Sequence, residues 1–264
     1  MPLDPQTREK IFRRLDGERR ELARTGEAVE VLDGVTRWKS VDGSHHAVSF
    51  SALDERSADG AIAEQIEHYR GFGAEFEWKL YGHDRPGDLL ERLRGRGLEI
   101  GPREAVLIYE LSAAGKWMGR SDGCEVVRVE LEEQIADYRA VAERVFRKDY
   151  AFTAKELTDA IRAESSEHRG YVAYVNGQPA SIGRLYTHRQ SWFAGLYGGG
   201  TIEAFRGRGL YRAVVAARAR DAIAAGAKYL MVDALPTSRP ILERLGFEWL
   251  TDTWPCTCRP EAAR

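Results

Sequence analysis

Apolar residues recur along this chain with two periods, and each period predicts a kind of element. Between Leu131 and Phe146, the residues Ile135, Tyr138, Val141, Ala142 and Val145 share one face of a 3.6-residue spiral, which predicts an amphipathic helix. Ile62 and Ile66 predict a helix from about Ala61 to Tyr69. Phe76-Glu-Trp-Lys-Leu-Tyr81 alternates with period two and reads as a strand. His46–Phe50, Ala105–Leu111 and Glu125–Val129 are further strand-like runs. Gly170–Val175 and Ala180–Tyr186 flank Asn176-Gly177, a two-residue hairpin signal, and Ser191–Ile202 reads as a third strand ending in three glycines. A long helix from about Gly207 to Ala225 follows. Then come a strand at Lys228–Ala234, a short helix at Ser238–Leu245 stopped by Gly246, and a last strand at Phe247–Leu250.

Local punctuation refines these bounds. Thr153-Ala-Lys-Glu156 has the form of a capping box and predicts a helix running to about Ala163. Asp84 reads as an N-cap with Pro86 early in a helix through Leu89 and Leu93, ended by Gly95 and Gly97. The chain up to about residue 30 is rich in Arg and Glu and predicts a polar covering helix. Small and polar residues from Ser112 to Gly123 form the linker candidate, so the expected domains are 1–115 and 116–264. An antiparallel meander followed by strand–helix–strand predicts a mixed α/β sheet. The order also repeats. Pro86-Gly-Asp-Leu-Leu-Glu-Arg-Leu-Arg-Gly-Arg-Gly-Leu98 is similar to Pro240-Ile-Leu-Glu-Arg-Leu-Gly-Phe247, which points to a duplicated fold.

Composition narrows the function classes. The 264 residues suit two domains of roughly 150. With 39 basic and 41 acidic residues the net charge is −2, which argues against wholesale nucleic-acid binding. No apolar run exceeds five residues, as at Ala213–Ala217, so no membrane-spanning segment is expected. The first residues lack an apolar leader pattern. Three cysteines make no disulfide framework, so a cytoplasmic location is expected. Cys256-Thr-Cys258 has no second Cys pair or suitable His spacing, so no metal is expected. His45, His46 and His188 read as surface residues.

The segment from Gly198 to Arg212 departs from this ordinary background. It joins a strand to a helix N-terminus, where backbone amides lack helical partners and the macrodipole favours an anion. Arg206, Arg208, Arg212, Arg218 and Arg220 follow closely, with no acid between Glu203 and Asp221. A polyphosphate on a small molecule is the simplest ligand. Neither G-x-x-x-x-G-K-[ST] nor G-x-G-x-x-G occurs here.

Arg206-Gly207-Arg208-Gly209 with Leu210, set in this order of elements, resembles the acyl-CoA turn of the GNAT superfamily of N-acetyltransferases over about residues 124–255. Tyr211 stands where that family usually has Gly or Ala. The resemblance implies the acyl-CoA N-acyltransferase fold, twice over, with acetyl-CoA as co-substrate and no metal. It implies that the backbone of Thr201 and Ile202 pairs with the pantetheine arm. The amides from Arg206 through Gly207, Arg208, Gly209, Leu210 and Tyr211 to Arg212 would hold the pyrophosphate. Asp149 and Tyr150 would meet the acceptor, a small-molecule or peptide amine, with no membrane or nucleic-acid partner and a homodimer allowed. Members often protonate the leaving thiolate with a tyrosine from the short helix, but Leu242 holds that place. Glu203 is then the candidate base, and Tyr197 or Ser238 the candidate acid. In the first half Ser51-Ala-Leu-Asp-Glu-Arg-Ser57 puts Asp54 and Glu55 where phosphates would go, so that half is expected to be a degenerate copy without acyl-CoA. Two other classes remain compatible: a non-catalytic acyl-CoA-binding module, and a transferase using another donor such as aminoacyl-tRNA.

Overall fold

The computed structural model describes residues 3–23, 27–40, 42–112, 115–119 and 123–260. Parts of the expected linker, residues 113, 114 and 120–122, lie outside them. The chain forms two compact units. The first comprises 1–107, 234–241 and 248–264, and the second comprises 108–233 and 242–247. The sequence places the division at 115/116. In the structure it falls at 107/108, and the chain returns to the first unit for its last strand.

The first unit opens with α1 (Pro5–Glu21), whose Asp4 cap accepts the Thr7 N–H at 3.0 Å. Ile11 and Leu15, four apart, are its buried face. Strands β1 (Ala28–Val31), β2 (Val35–Lys39) and β3 (His46–Ser51) form an antiparallel meander. Helix α2 (Ala58–Arg70) then carries the chain to β4 (Phe76–Tyr81), which lies parallel to β3. Helix α3 (Leu89–Gly95) and short β5 (Glu99–Ile100) follow, and β6 (Glu104–Glu110) runs across the division. Trp78, Phe76, Ile62, Leu89 and Leu93 make the core. Asp84 does not cap α3: it accepts the Tyr81 N–H at 2.9 Å and pairs with Arg19 at 2.8 Å.

The second unit contains β7 (Glu125–Arg128), α4 (Glu132–Phe146), α5 (Ala151–Arg162), β8 (His168–Val175), β9 (Gln178–Tyr186) and β10 (Phe193–Thr201). Strands β7 to β10 form an antiparallel meander. Asn176 and Gly177 both have positive φ (50° and 76°), as the tight hairpin between β8 and β9 requires. Thr153 does not cap α5. The helix starts at Ala151, and Thr153 is buried within its first turn. After α6 (Leu210–Ala224), β11 (Tyr229–Ala234) pairs parallel with β10, and α7 (Arg239–Arg244) follows. Strand β12 (Glu248–Cys258) pairs antiparallel with β4 and runs well past the expected end at Leu250. Its alternation is masked by Thr251, Thr253 and Pro255, although both threonines are buried. Each unit thus has a parallel strand–helix–strand step. Among the described residues no helix is long and apolar enough to cross a membrane.

Candidate functional site

Strand β10 pairs with β11 only over Phe193–Gly195 and then runs on to Thr201. The two strands therefore separate on the approach to α6. On its other side β10 has a bulge between Tyr197 and Gly200, with Gly198 at φ 54°. The three glycines serve three neighbours. A Cβ on Gly198 would sit 3.4 Å from the Tyr138 hydroxyl, one on Gly199 would lie 2.9 Å from the Tyr211 ring, and one on Gly200 would lie 2.6 Å from Val145.

The turn into α6 fits an anion. Gly207 and Gly209 hold φ of 78° and 77°, which L side chains rarely adopt. No side chain caps α6. The Ala213 N–H bonds Gly209 at 2.9 Å, so the amides of Leu210, Tyr211 and Arg212 have no intrahelical acceptor. Arg206, Arg208 and Arg212 are exposed around them.

The cationic cluster is smaller than its sequence spacing suggests. Arg218 is 1% exposed, beneath the sheet rather than at the turn. It donates to the carbonyls of Val214 (3.3 Å), Arg184 (3.1 Å) and Tyr197 (3.5 Å), and burial lowers its pKa. Arg220 is likewise engaged, donating to the Met118 carbonyl at 2.7 Å. Tyr211 turns inward, with its ring against Gly199 and its hydroxyl on Arg218, so its bulk does not fill the turn.

The backbone expected to meet pantetheine is divided. Ile202 donates to Ala180 at 2.9 Å and its carbonyl accepts Phe205, so both of its groups are engaged. Hydrogen-bonded pairs alternate along an antiparallel ladder, so Thr201 directs its backbone groups away from β9. The Thr201 carbonyl accepts from Arg206 Nε at 3.3 Å.

The acid–base candidates differ in setting. Glu203 is exposed in the short turn after β10. Tyr197 is 41% exposed, its ring edge-on to Tyr186 at 5.1 Å, so it is not a core aromatic. Ser238 belongs to the first unit and donates to the Leu235 carbonyl at 3.2 Å. Leu242 is fully buried. Asp149 accepts the Ala151 N–H (2.9 Å) and an Arg139 bond (3.1 Å), so it starts α5, and the Ala151 bond lowers its pKa. Tyr150 is buried against Phe146.

Two residues with no functional role assigned from sequence border the bulge. Tyr138, on the apolar face of α4, is fully buried, and burial raises its pKa to about 12. Arg184, on β9, reaches Glu156 at 3.1 Å and the Tyr186 hydroxyl at 3.2 Å. Tyr138 reads as a core aromatic in helical periodicity and Arg184 as a solvated strand residue, so only the polar group on an apolar stripe was a signal.

In the first unit the turn leading into α2 is bonded within its own chain. Asp54 accepts the N–H groups of Arg56 (2.9 Å) and Ser57 (2.8 Å), and the Ser57 bonds hold its pKa low. Among the described residues only Asp16, His83 and Asp84 bring metal-type donors together, and Arg19 donates to both carboxylates. Cys256 is a buried core thiol, raised to about 12 by burial. His188 is not a free surface residue, for its ring lies 3.6 Å from Glu167.

Residues 130–247 match the model of the acetyltransferase (GNAT) family. No curated protein matches the sequence. A GCN5-related N-acetyltransferase from Kribbella flavida superposes with TM-score 0.68 at 15% identity, covering 100% of this chain and 97% of that one. One from Sphaerobacter thermophilus gives 0.58 at 12%, covering 97% and 87%. A tandem GNAT protein from the clavulanic acid biosynthesis pathway gives 0.60 at 13%, covering 92% and 86%. At these identities the likeness is one of fold, the mixed α/β acyl-CoA N-acyltransferase fold. The family match thus covers residues 130–247, a little under half of the chain, and includes the open turn at α6.

Proposed function

We propose that this protein moves an acetyl group from acetyl-CoA to the primary amine of a small-molecule or peptide acceptor, by direct attack in a ternary complex. The observation that carries this reading is the separation of β10 from β11 beyond Gly195, ending at an uncapped helix N-terminus ringed by Arg206, Arg208 and Arg212. The uncapped amides and the helix dipole suit a pyrophosphate. Thr201, facing away from β9, suits an extended amide-bearing arm.

In this reading the amine nitrogen bonds the acyl carbon and the carbon–sulfur bond breaks. Glu203 takes the proton the amine loses, and Tyr197 gives one to the departing sulfur. Both are exposed, on β10 or in the turn directly after it. The first unit is a degenerate copy of the same fold. Asp54 sets a carboxylate in the turn before α2, where the matching turn before α6 would meet a phosphate, which supports acyl-CoA being taken by one unit only. The three unpaired cysteines suit a reducing compartment such as the cytoplasm.

Release of CoA thiol across a panel of amines tests the proposal, with Arg206→Ala and Gly209→Glu as controls. Turnover with some amine that falls at least about tenfold in both controls supports it. Wild-type turnover in both controls would place the acyl-CoA site elsewhere. Leu242, buried where relatives often have an acid, favours a second reading as an acyl-CoA-binding module. Tight CoA binding without thiol release on any amine would establish that reading.

A further inference from the structure

On the α4 face of the bulge, two hydrogen-bond donors converge with nothing to donate to. The Tyr138 hydroxyl and Arg184 Nε are buried, and neither has a partner. A Cβ on Gly198 would lie 3.4 Å from the first and 3.5 Å from the second, so both atoms lie against this glycine. Gly198 is itself partly exposed, and Tyr197 beside it is 41% exposed. The backbone beside the two buried donors is thus open to solvent. Leaving a buried donor unpaired costs about 1–3 kcal/mol, and the chain carries two such donors side by side.

What belongs between them is set by their chemistry. A phenol O–H and a guanidinium N–H both donate, so the missing atom is an acceptor. The guanidinium has one carboxylate partner, Glu156, at 3.1 Å, and that carboxylate is about one-third exposed. The remaining Arg184 contact is the neutral Tyr186 hydroxyl. Tyr186 is stacked on His168 at 4.0 Å, and Tyr197 stands edge-on to it, which makes an aromatic wall beside the spot. An anionic oxygen satisfies both donors at once, and charge-assisted bonds are the stronger ones.

We infer that Tyr138 and Arg184 form an acceptor-recognition site that takes a carboxylate, so the preferred acceptor is a small amine bearing a carboxylate, as an α-amino acid does. This inference rests on the proposed acetyl transfer, because it names the acceptor of that same site.

The test pairs each α-amino acid with its carboxamide, which keeps the amine and removes the charge. Two readouts are taken: CoA-thiol release, and calorimetric binding of the same compounds to the CoA-loaded protein. The wild type is expected to prefer the acid over the amide by about tenfold or more in KM or Kd, the size of one charge-assisted bond. Tyr138→Phe and Arg184→Gln are expected to remove that preference, the acids losing about tenfold more than their amides. Tyr138→Phe deletes only an unpartnered hydroxyl, so its melting temperature is expected to match the wild type or exceed it, which separates recognition from folding.

Equal handling of acid and amide by the wild type overturns the inference. So does an equal loss on both members of each pair in the two variants, or a preference that survives in both. Binding that discriminates without thiol release upholds this site and sinks the proposed transfer. Thiol release without discrimination does the reverse.

Discussion

Arg218 carries a full charge inside the protein with no carboxylate partner among the described residues. Its room comes from glycines. A Cβ on Gly183 would lie 2.7 Å from its Cζ, and one on Gly199 would lie 3.3 Å from Nη2. The guanidinium satisfies the carbonyls of Arg184 and Tyr197, which flank the bulge. Arg218→Ala leaves those carbonyls buried and opens a cavity, so a loss of about 3 kcal/mol or more is expected in urea unfolding. Gly199→Ala meets the Tyr211 ring and is expected to cost about 1–3 kcal/mol. Adding Tyr211→Ala removes the obstacle. The double variant should therefore lose less than the sum of the singles, and strict additivity would show that the two residues do not press on one another.

Among the elements, α2 and α6 make the sharpest contrast. Both follow a strand and both lead to a parallel strand. Before α2, the Asp54 carboxylate takes the amides of Arg56 and Ser57, whereas no carboxylate occupies the turn before α6, which carries three exposed arginines. Acyl-CoA is therefore expected to bind at one site per chain, and a calorimetric stoichiometry of two would contradict this. Exposed charges are screened by salt, so affinity should weaken as ionic strength rises from about 0.05 to 0.5 M. Gly207 and Gly209 were legible in advance because positive φ is a local demand that glycine meets cheaply. The start of α5 was not. Thr153-Ala-Lys-Glu156 has the capping form, yet packing buries Thr153 and hands the role to Asp149. The Arg cluster was half legible, since spacing cannot tell which arginine points inward.

At the scale of the whole molecule, the first unit is held partly by a network that joins residues distant in sequence. Arg19 bonds both Asp84 oxygens at 2.8 Å, Asp16 at 2.9 Å and the Lys79 carbonyl at 3.5 Å, and His83 bonds Asp16 at 3.0 Å. Burial alone would raise the Asp16 carboxyl, but the His83 bond and the Arg19 charge outweigh it and hold the group below its ordinary 3.8. A carboxylate depressed by folding stabilises the fold above its unfolded value, and that contribution is lost as pH falls through the folded one. The melting temperature is therefore expected to drop below about pH 4, and less so in Asp16→Asn. An equal acid drop in that variant would remove Asp16 as a source.

By itself the sequence determined what depends on neighbours in the chain. This includes the helix faces, the Asn176-Gly177 hairpin, the Arg-Gly turn into α6 and the mixed α/β order that carries the family resemblance. Periodicity and turn chemistry act over a few residues, so they can be read without a fold. Only the tertiary structure decided which strand the last segment joins, that Arg218 and Tyr211 turn inward, and that Tyr138 and Arg184 meet at Gly198. Those outcomes follow from burial and close approach between distant residues, which no local pattern records.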